Sequence, residues 1–105
     1  MEAISLINKM ESKLSELKKE YADAEFRYGL HNTLFSEERL PKADRIKAGQ
    51  FMNSTKKQMI NLDYQIQVID NEIEALVAAI TIDESMTALF EHTAIESLHS
   101  AGIEI

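Results

Sequence analysis

Residues 52–80 read MNSTKKQMINLDYQIQVIDNEIEALVAAI. Met52, Thr55, Met59, Leu62, Ile66, Ile69, Ile73, Leu76 and Ile80 follow one another in alternating steps of three and four, and Thr55 alone is polar. A 3.5-residue apolar repeat held over this length predicts a helix packed along a seam, because a helix lying on a globular core carries a 3.6-residue stripe instead. The same rule holds upstream. From Ala3, the positions Ile7, Met10, Leu14, Leu17, Tyr21, Ala24, Tyr28, His31 and Phe35 form a second ladder in which His31 is the only polar member.

Between the ladders, Phe35-Ser36-Glu37-Glu38-Arg39-Leu40-Pro41-Lys42 supplies the reversal. Ser36 is placed to cap a short turn there, and Pro41 suits the first position of a new helix. The expected helices run from about 3 to 35 and 42 to 80, each on the order of 50 Å long at 1.5 Å per residue. After Ile80 the next seam position is Asp83, so the ladder stops. Thr81-Ile82-Asp83-Glu84 has the spacing of a capping box, with Thr81 as the cap. Met86, Leu89, Phe90, Ala94 and Leu98 then form one helical stripe, closed by Gly102. A third helix ending near Ser100 is expected, and a single bent helix through this region is the competing reading.

With three glycines, one proline and three tyrosines in 105 residues, the chain has little material for β turns and aromatic strands. The expected fold is all-α: a long antiparallel, coiled-coil-like helical hairpin over 1–80, with a C-terminal amphipathic helix and tail over 81–105 in the same domain. A chain this short and elongated buries little surface alone, so oligomerisation is expected. The absence of Cys excludes a disulfide framework, a thiolate metal site and a cysteine nucleophile. The longest apolar run, Ala75 to Ile82, is too short to span a bilayer. A soluble, unprocessed, cytoplasmic chain without membrane contact is expected.

Charge is distributed in blocks. All eleven Lys and Arg lie at or before Lys57, and the 48 residues after it carry nine acids and no base. Residues 42–57 hold Lys42, Arg45, Lys47, Lys56 and Lys57 against Asp44, a net of +4, while 58–80 hold Asp63, Asp70, Glu72 and Glu74, a net of −4. Residues 1–19 sum to +1 and 20–35 to −2, so antiparallel pairing places unlike halves together and parallel pairing places like halves together. Lys9 and Lys13 are accordingly expected near Asp70, Glu72 or Glu74. Residues 81–105 contribute −5 of the total −7, an acidic segment beyond the seam.

Several apolar residues fall off the ladders. Ala22, Phe26, Leu30 and Leu34 form a stripe on the first helix, and Ile60, Tyr64, Val68 and Ala75 lie away from the seam of the second. The third helix can cover part of this surface in a three-helix bundle. What it leaves open is an interaction surface, since exposed apolar patches mark such sites. The candidate interface is therefore Phe26, Leu30, Leu34, Ile60, Tyr64, Val68, Leu89 and Phe90.

Candidate chemistry is sparse. His92, Glu96 and His99 share one helical face, but di-iron helices need two Glu-x-x-His motifs plus two further carboxylates and this chain offers one motif. A solvated face explains them, and no metal or cofactor is expected. His31 and Thr55 are polar seam members that can specify register. Gly29 and Gly49 sit inside helical patterns, where each costs about 1 kcal/mol relative to alanine. Arg39, Lys42, Arg45 and Lys47 make the tip a candidate phosphate site for nucleic acid or nucleotide. No nucleophile elbow or Ser/His/Asp grouping is present, so the chain reads as a non-enzyme. The leading expectation is a protein–protein interaction module that self-associates through helical hairpins and acts as adaptor, chaperone or inhibitor. The alternatives are nucleic-acid or nucleotide binding at the basic tip and an acidic polyanion-mimic inhibitor built on the C-terminal segment.

Overall fold

A computed structural model describes residues 2–105, and these are almost wholly helical. Helix α1 spans Ala3–Ser36, α2 spans Lys42–Ile82, a 3-10 turn spans Glu84–Met86, and α3 spans Thr87–Ser100. No strand occurs among the described residues. The all-α expectation is met, and no helix among them is long and apolar enough to cross a membrane.

The helix ends are set by side chains other than those the sequence reading chose. At the first reversal Glu37 does the capping: its Oε1 accepts from the Arg39 amide at 3.1 Å, and Ser36 remains the last residue of α1. Pro41 lies just outside α2, where its carbonyl accepts from the amides of Asp44 and Arg45 at 3.0 and 3.1 Å. Pro41 thus opens the helix by accepting its first bonds, which needs no N–H of its own.

At the second break the cap is Asp83, two residues after Thr81. Its φ of −149° and ψ of 96° are extended, and its Oδ1 accepts from the Ser85 amide at 3.0 Å and the Ser85 hydroxyl at 2.6 Å. Thr81 instead donates its hydroxyl to the Val77 carbonyl at 2.8 Å inside α2, the bond that Thr makes when it is one turn within a helix. So α2 and α3 are separate helices, divided where a side-chain carboxylate replaces helical bonding.

The chain divides into two compact units. The first comprises Met1–Lys18 and Tyr64–Ile105, and the second comprises Lys19–Asp63. In the first unit the ladder positions alternate regularly: Ile69 and Leu76 are buried, while Ile66, Ile73 and Ile80 are partly buried. Ala3, Met10 and Leu17 of α1 are buried likewise. A further set of residues off the ladder completes this core. Leu6, Ala79, Ala94, Leu98 and Ile103 are buried, and Gln65, Val68, Glu72 and Ala75 are partly buried along one flank of α2.

The end of α3 explains how that set closes. Gly102 adopts a φ of +77°, its amide donates to the His99 carbonyl at 3.0 Å, and the Ile103 amide donates to the Leu98 carbonyl at 2.9 Å. This is the Schellman arrangement, and Leu98 and Ile103, at its two ends, are 1% and 2% exposed. Gln65 then donates its Nε2 to the Ala101 carbonyl at 3.1 Å and ties the cap to α2. Among the described residues no ion pair joins Lys9 or Lys13 to Asp70, Glu72 or Glu74, near which they were expected. Lys13 Nζ lies 3.5 Å from Glu16 in its own helix, an exposed type of pair worth little.

The second unit has a thinner interior. Only Ala24, Ala48, Thr55 and Leu62 are buried, and the intervening ladder members Tyr21, Tyr28, His31, Met52 and Met59 are partly buried. Alanine at these positions removes little apolar surface from water.

Two substitutions test the α3 cap. Gly102→Ala forces a Cβ into the left-handed region at a cost of about 1–2 kcal/mol, and Ile103→Ala removes a fully buried side chain at about 2–5 kcal/mol. Both losses are expected in chemical denaturation. If Ile103→Ala unfolds at the wild-type midpoint, the cap does not hold the first unit together.

Candidate functional site

Among the described residues seven large apolar side chains are exposed in each unit, and the second unit carries its seven on fewer residues. Phe26, Leu30 and Leu34 project from α1 at successive intervals of four, and Phe26 is 68% exposed. Phe35, Ile46, Phe51 and Ile60 are also exposed. Helical spacing explains the α1 stripe: residues four apart stand one above the other on a helix.

Contacts within the unit locate these side chains relative to the ladder. Arg27 Nη2 donates to Gln58 Oε1 at 3.2 Å, and the His31 ring stacks on Phe51 with centroids 5.1 Å apart and planes inclined by 21°. Arg27 and Leu34 are seven residues apart, as are Phe51 and Gln58, so each pair occupies one position of the repeat. One flank of the unit therefore carries Leu34, Arg27, Phe51 and Gln58, with Leu30 and Phe26 running outward from it. His31 Nδ1 is buried there without a hydrogen-bond partner.

The other flank holds Phe35 and Gly49. A Cβ at Gly49 would lie 3.1 Å from two ring carbons of Phe35, so the glycine admits the ring. A shallow cavity of about 420 Å³ opens beside them, lined by Phe35, Ile46, Gly49, Gln50, Met52 and Asn53. Gly29 meets nothing within 4 Å, and the Thr33 hydroxyl donates to its carbonyl at 3.1 Å.

The remaining expected interface residues divide between the units. Ile60, in the second, is exposed. In the first, Tyr64 and Leu89 are exposed, whereas Val68 and Phe90 are partly buried by their own unit. Tyr64 and Val68 line an open polar groove of about 410 Å³ with Asn71, Glu72, Thr93, Glu96, Ser97 and Ser100. Tyr64 and Val68 are thus grouped, and Phe26, Leu30 and Leu34 are grouped separately.

At the basic tip, Arg39, Lys42 and Lys47 are exposed, but Arg45 is already engaged. Its Nε donates to the Phe35 carbonyl at 3.3 Å, satisfying a carbonyl in the last turn of α1. The exposed His92 Nε2 lies 3.0 Å from Glu96 Oε1, a pairing within one helix. Among the described residues no group of three or more His, Asp or Glu is placed to hold a metal ion.

Phe51 and Ile46 were not singled out in the sequence because the ladder drew attention to its own members. The signal for Phe51 was present: it directly precedes the ladder residue Met52, and an apolar residue there widens the seam to one side. No protein-family model, curated protein or solved structure matches the chain.

The two internal glycines give a paired test. Gly29→Ala should raise stability by about 0.4–1 kcal/mol, since alanine is the better helix former and space is open. Gly49→Ala should gain less, because its methyl displaces the Phe35 ring. Equal gains in urea unfolding would show that the ring does not lean on Gly49.

Proposed function

We propose that this chain is a non-enzymatic, cytoplasmic protein–protein interaction module of the adaptor, chaperone or inhibitor type. Its second unit offers an apolar helical face to another protein. One observation carries the reading: four small or medium side chains are buried in that unit, while Phe26, Leu30, Leu34, Phe35, Ile46, Phe51 and Ile60 stay exposed. Seven large apolar residues are exposed on 45 residues of chain, and those on the flank of Leu34 and Phe51 make a surface of the kind that marks partner sites. Aromatic side chains are also enriched at interfaces, where rigid rings fill pockets with little loss of conformational freedom.

In this reading α1 and α2 pair antiparallel and coiled-coil-like, making a helical hairpin. Support comes from contacts inside the second unit. Arg27 meets Gln58, His31 meets Phe51, and Phe35 meets Arg45, so advancing along α1 means retreating along α2. The alternation of buried and partly buried ladder residues is what a heptad seam produces.

The engaged state of Arg45 weighs against the phosphate-binding alternative, since one of four candidate ligands already serves the fold.

Affinity capture from the native cell with wild type and the Phe26→Glu/Leu30→Glu variant tests the proposal. Both positions are exposed, so circular dichroism should show unchanged helicity while the variant loses partners that the wild type retains. Identical captured sets would remove this face from the function.

A further inference from the structure

We propose that a groove in the first unit, bounded by the start of α1, the end of α2 and the start of α3, binds a basic segment of a partner protein. An apolar side chain of that segment sits on Ile4, Ile80 and Ala88, and its Lys or Arg heads meet Glu2, Glu84 and Glu91. The groove uses no residue of the second unit, so it stands or falls separately from the apolar face proposed above.

The geometry comes first. The open groove measures about 430 Å³, within the roughly 300–1,000 Å³ of clefts that take ligands. Ala3 and Ala79 turn inward and are buried, which leaves their neighbours Ile4 and Ile80 at the groove, Ile4 with 66% exposure. Ala88, on the first turn of α3, completes an apolar floor. Thr87 lines the same groove, and its Oγ1 is buried without a hydrogen-bond partner. Folded chains satisfy nearly all such atoms. An unpaired hydroxyl in the wall of an open groove is a contact left for a bound chain to complete.

Charge selects the occupant. The first unit holds Lys9, Lys13 and Lys18 against eleven carboxylates, net −8, whereas the second holds eight Lys and Arg against seven acids, net +1. The chain's whole negative surplus therefore belongs to the unit that contains the groove. Among the described residues no ion pair engages Glu2, Glu84 or Glu91. Residues 58–105 supply no Lys or Arg to meet them. The first base on α1 is Lys9, seven residues beyond Glu2 and about 10 Å along the helix, which exceeds the ~8 Å Debye length at physiological salt. Lys9 lines a different groove, with Lys13, Glu104 and Ile105.

These surroundings discriminate between occupants. A nucleic acid brings like charge to the three carboxylates and is repelled. An acidic or purely apolar segment removes water from the carboxylates without replacing it by a cation. A small free cation meets the rim but leaves the apolar floor wet. A protein segment that carries Lys or Arg beside an apolar side chain satisfies both parts at once, and the unlike charges steer its approach.

The probe is a short peptide of lysine and leucine in amphipathic order, titrated into the isotope-labelled full chain and followed by amide chemical shifts. Two counterpart peptides replace leucine by serine or lysine by glutamate, and spermine serves as the free cation. Shifts are expected within residues 3–6 and 80–91, with a dissociation constant of about tens of micromolar. Glu84→Gln/Glu91→Gln should weaken binding about tenfold, since each exposed ion pair contributes modestly, and Ile4→Ser or the serine peptide should weaken it comparably. Asp70→Asn/Glu74→Asn removes the same charge from exposed positions of α2 outside the groove and should leave affinity unchanged, as should Phe26→Glu/Leu30→Glu. Circular dichroism checks that every variant keeps its helicity.

An absence of shifts at residues 3–6 and 80–91 overturns the proposal. So does equal weakening by the two carboxylate pairs, which is attraction to net charge alone. Spermine or the serine peptide binding as tightly as the lysine–leucine peptide overturns it as well, because the floor then contributes nothing. Loss of the shifts in Phe26→Glu/Leu30→Glu places the peptide on the second unit and removes the groove while leaving the apolar face in place.

Discussion

The backbone bond from the Ile103 amide to the Leu98 carbonyl, made across the left-handed Gly102, closes the interior of the first unit. It turns the last residues back so that Ile103 is buried, and Gln65 fixes the turn through the Ala101 carbonyl. With it, the first unit acquires a second apolar layer: Leu6, Ala79, Ala94, Leu98 and Ile103 are buried in addition to the ladder. The second unit contains no comparable layer. Its ladder buries Ala24, Ala48, Thr55 and Leu62, and its larger apolar side chains meet solvent.

That contrast has a thermodynamic consequence. Burial contributes roughly 25 cal/mol per Å² of apolar surface, so a pair of helices meeting through alanines gains far less per residue than one meeting through Leu, Ile and Met. Ordering each residue costs about 1–2 kcal/mol of backbone entropy in either case. The second unit is therefore the less stable part when alone, and covering its exposed stripe stabilises the helices themselves as well as the contact. A partner of the proposed face would stabilise this unit by binding its folded form alone.

Much of this architecture was legible in the sequence. Two ladders of strict three and four steps gave the long helices, and their interruption at Asp83 marked the end of α2. Gly102 marked the end of α3 because few other residues accept a positive φ. The caps were misread because they depend on which carboxylate reaches which amide. Glu37 and Asp83 win over Ser36 and Thr81 by geometry that spacing alone does not encode. The expected ion pairs of Lys9 and Lys13 failed for a related reason: long exposed side chains gain so little from pairing that a neighbour in the same helix suffices. Leu6 was missed because it lies one residue before the ladder member Ile7, on the flank where the core has a second layer. Of the candidate residues, Phe26, Leu30, Leu34, Ile60, Tyr64 and Leu89 are exposed. Val68 and Phe90 were harder to place, since partial burial within their own unit depends on α3, whose position no periodicity in α2 specifies.

The central claim is that the second unit is the less stable of the two, because its interior buries fewer large side chains. Native-state hydrogen exchange tests this most directly. The account predicts that amides within 22–34 and 48–62 exchange faster than those within 66–80 and 90–100. Equal protection in both sets would contradict it.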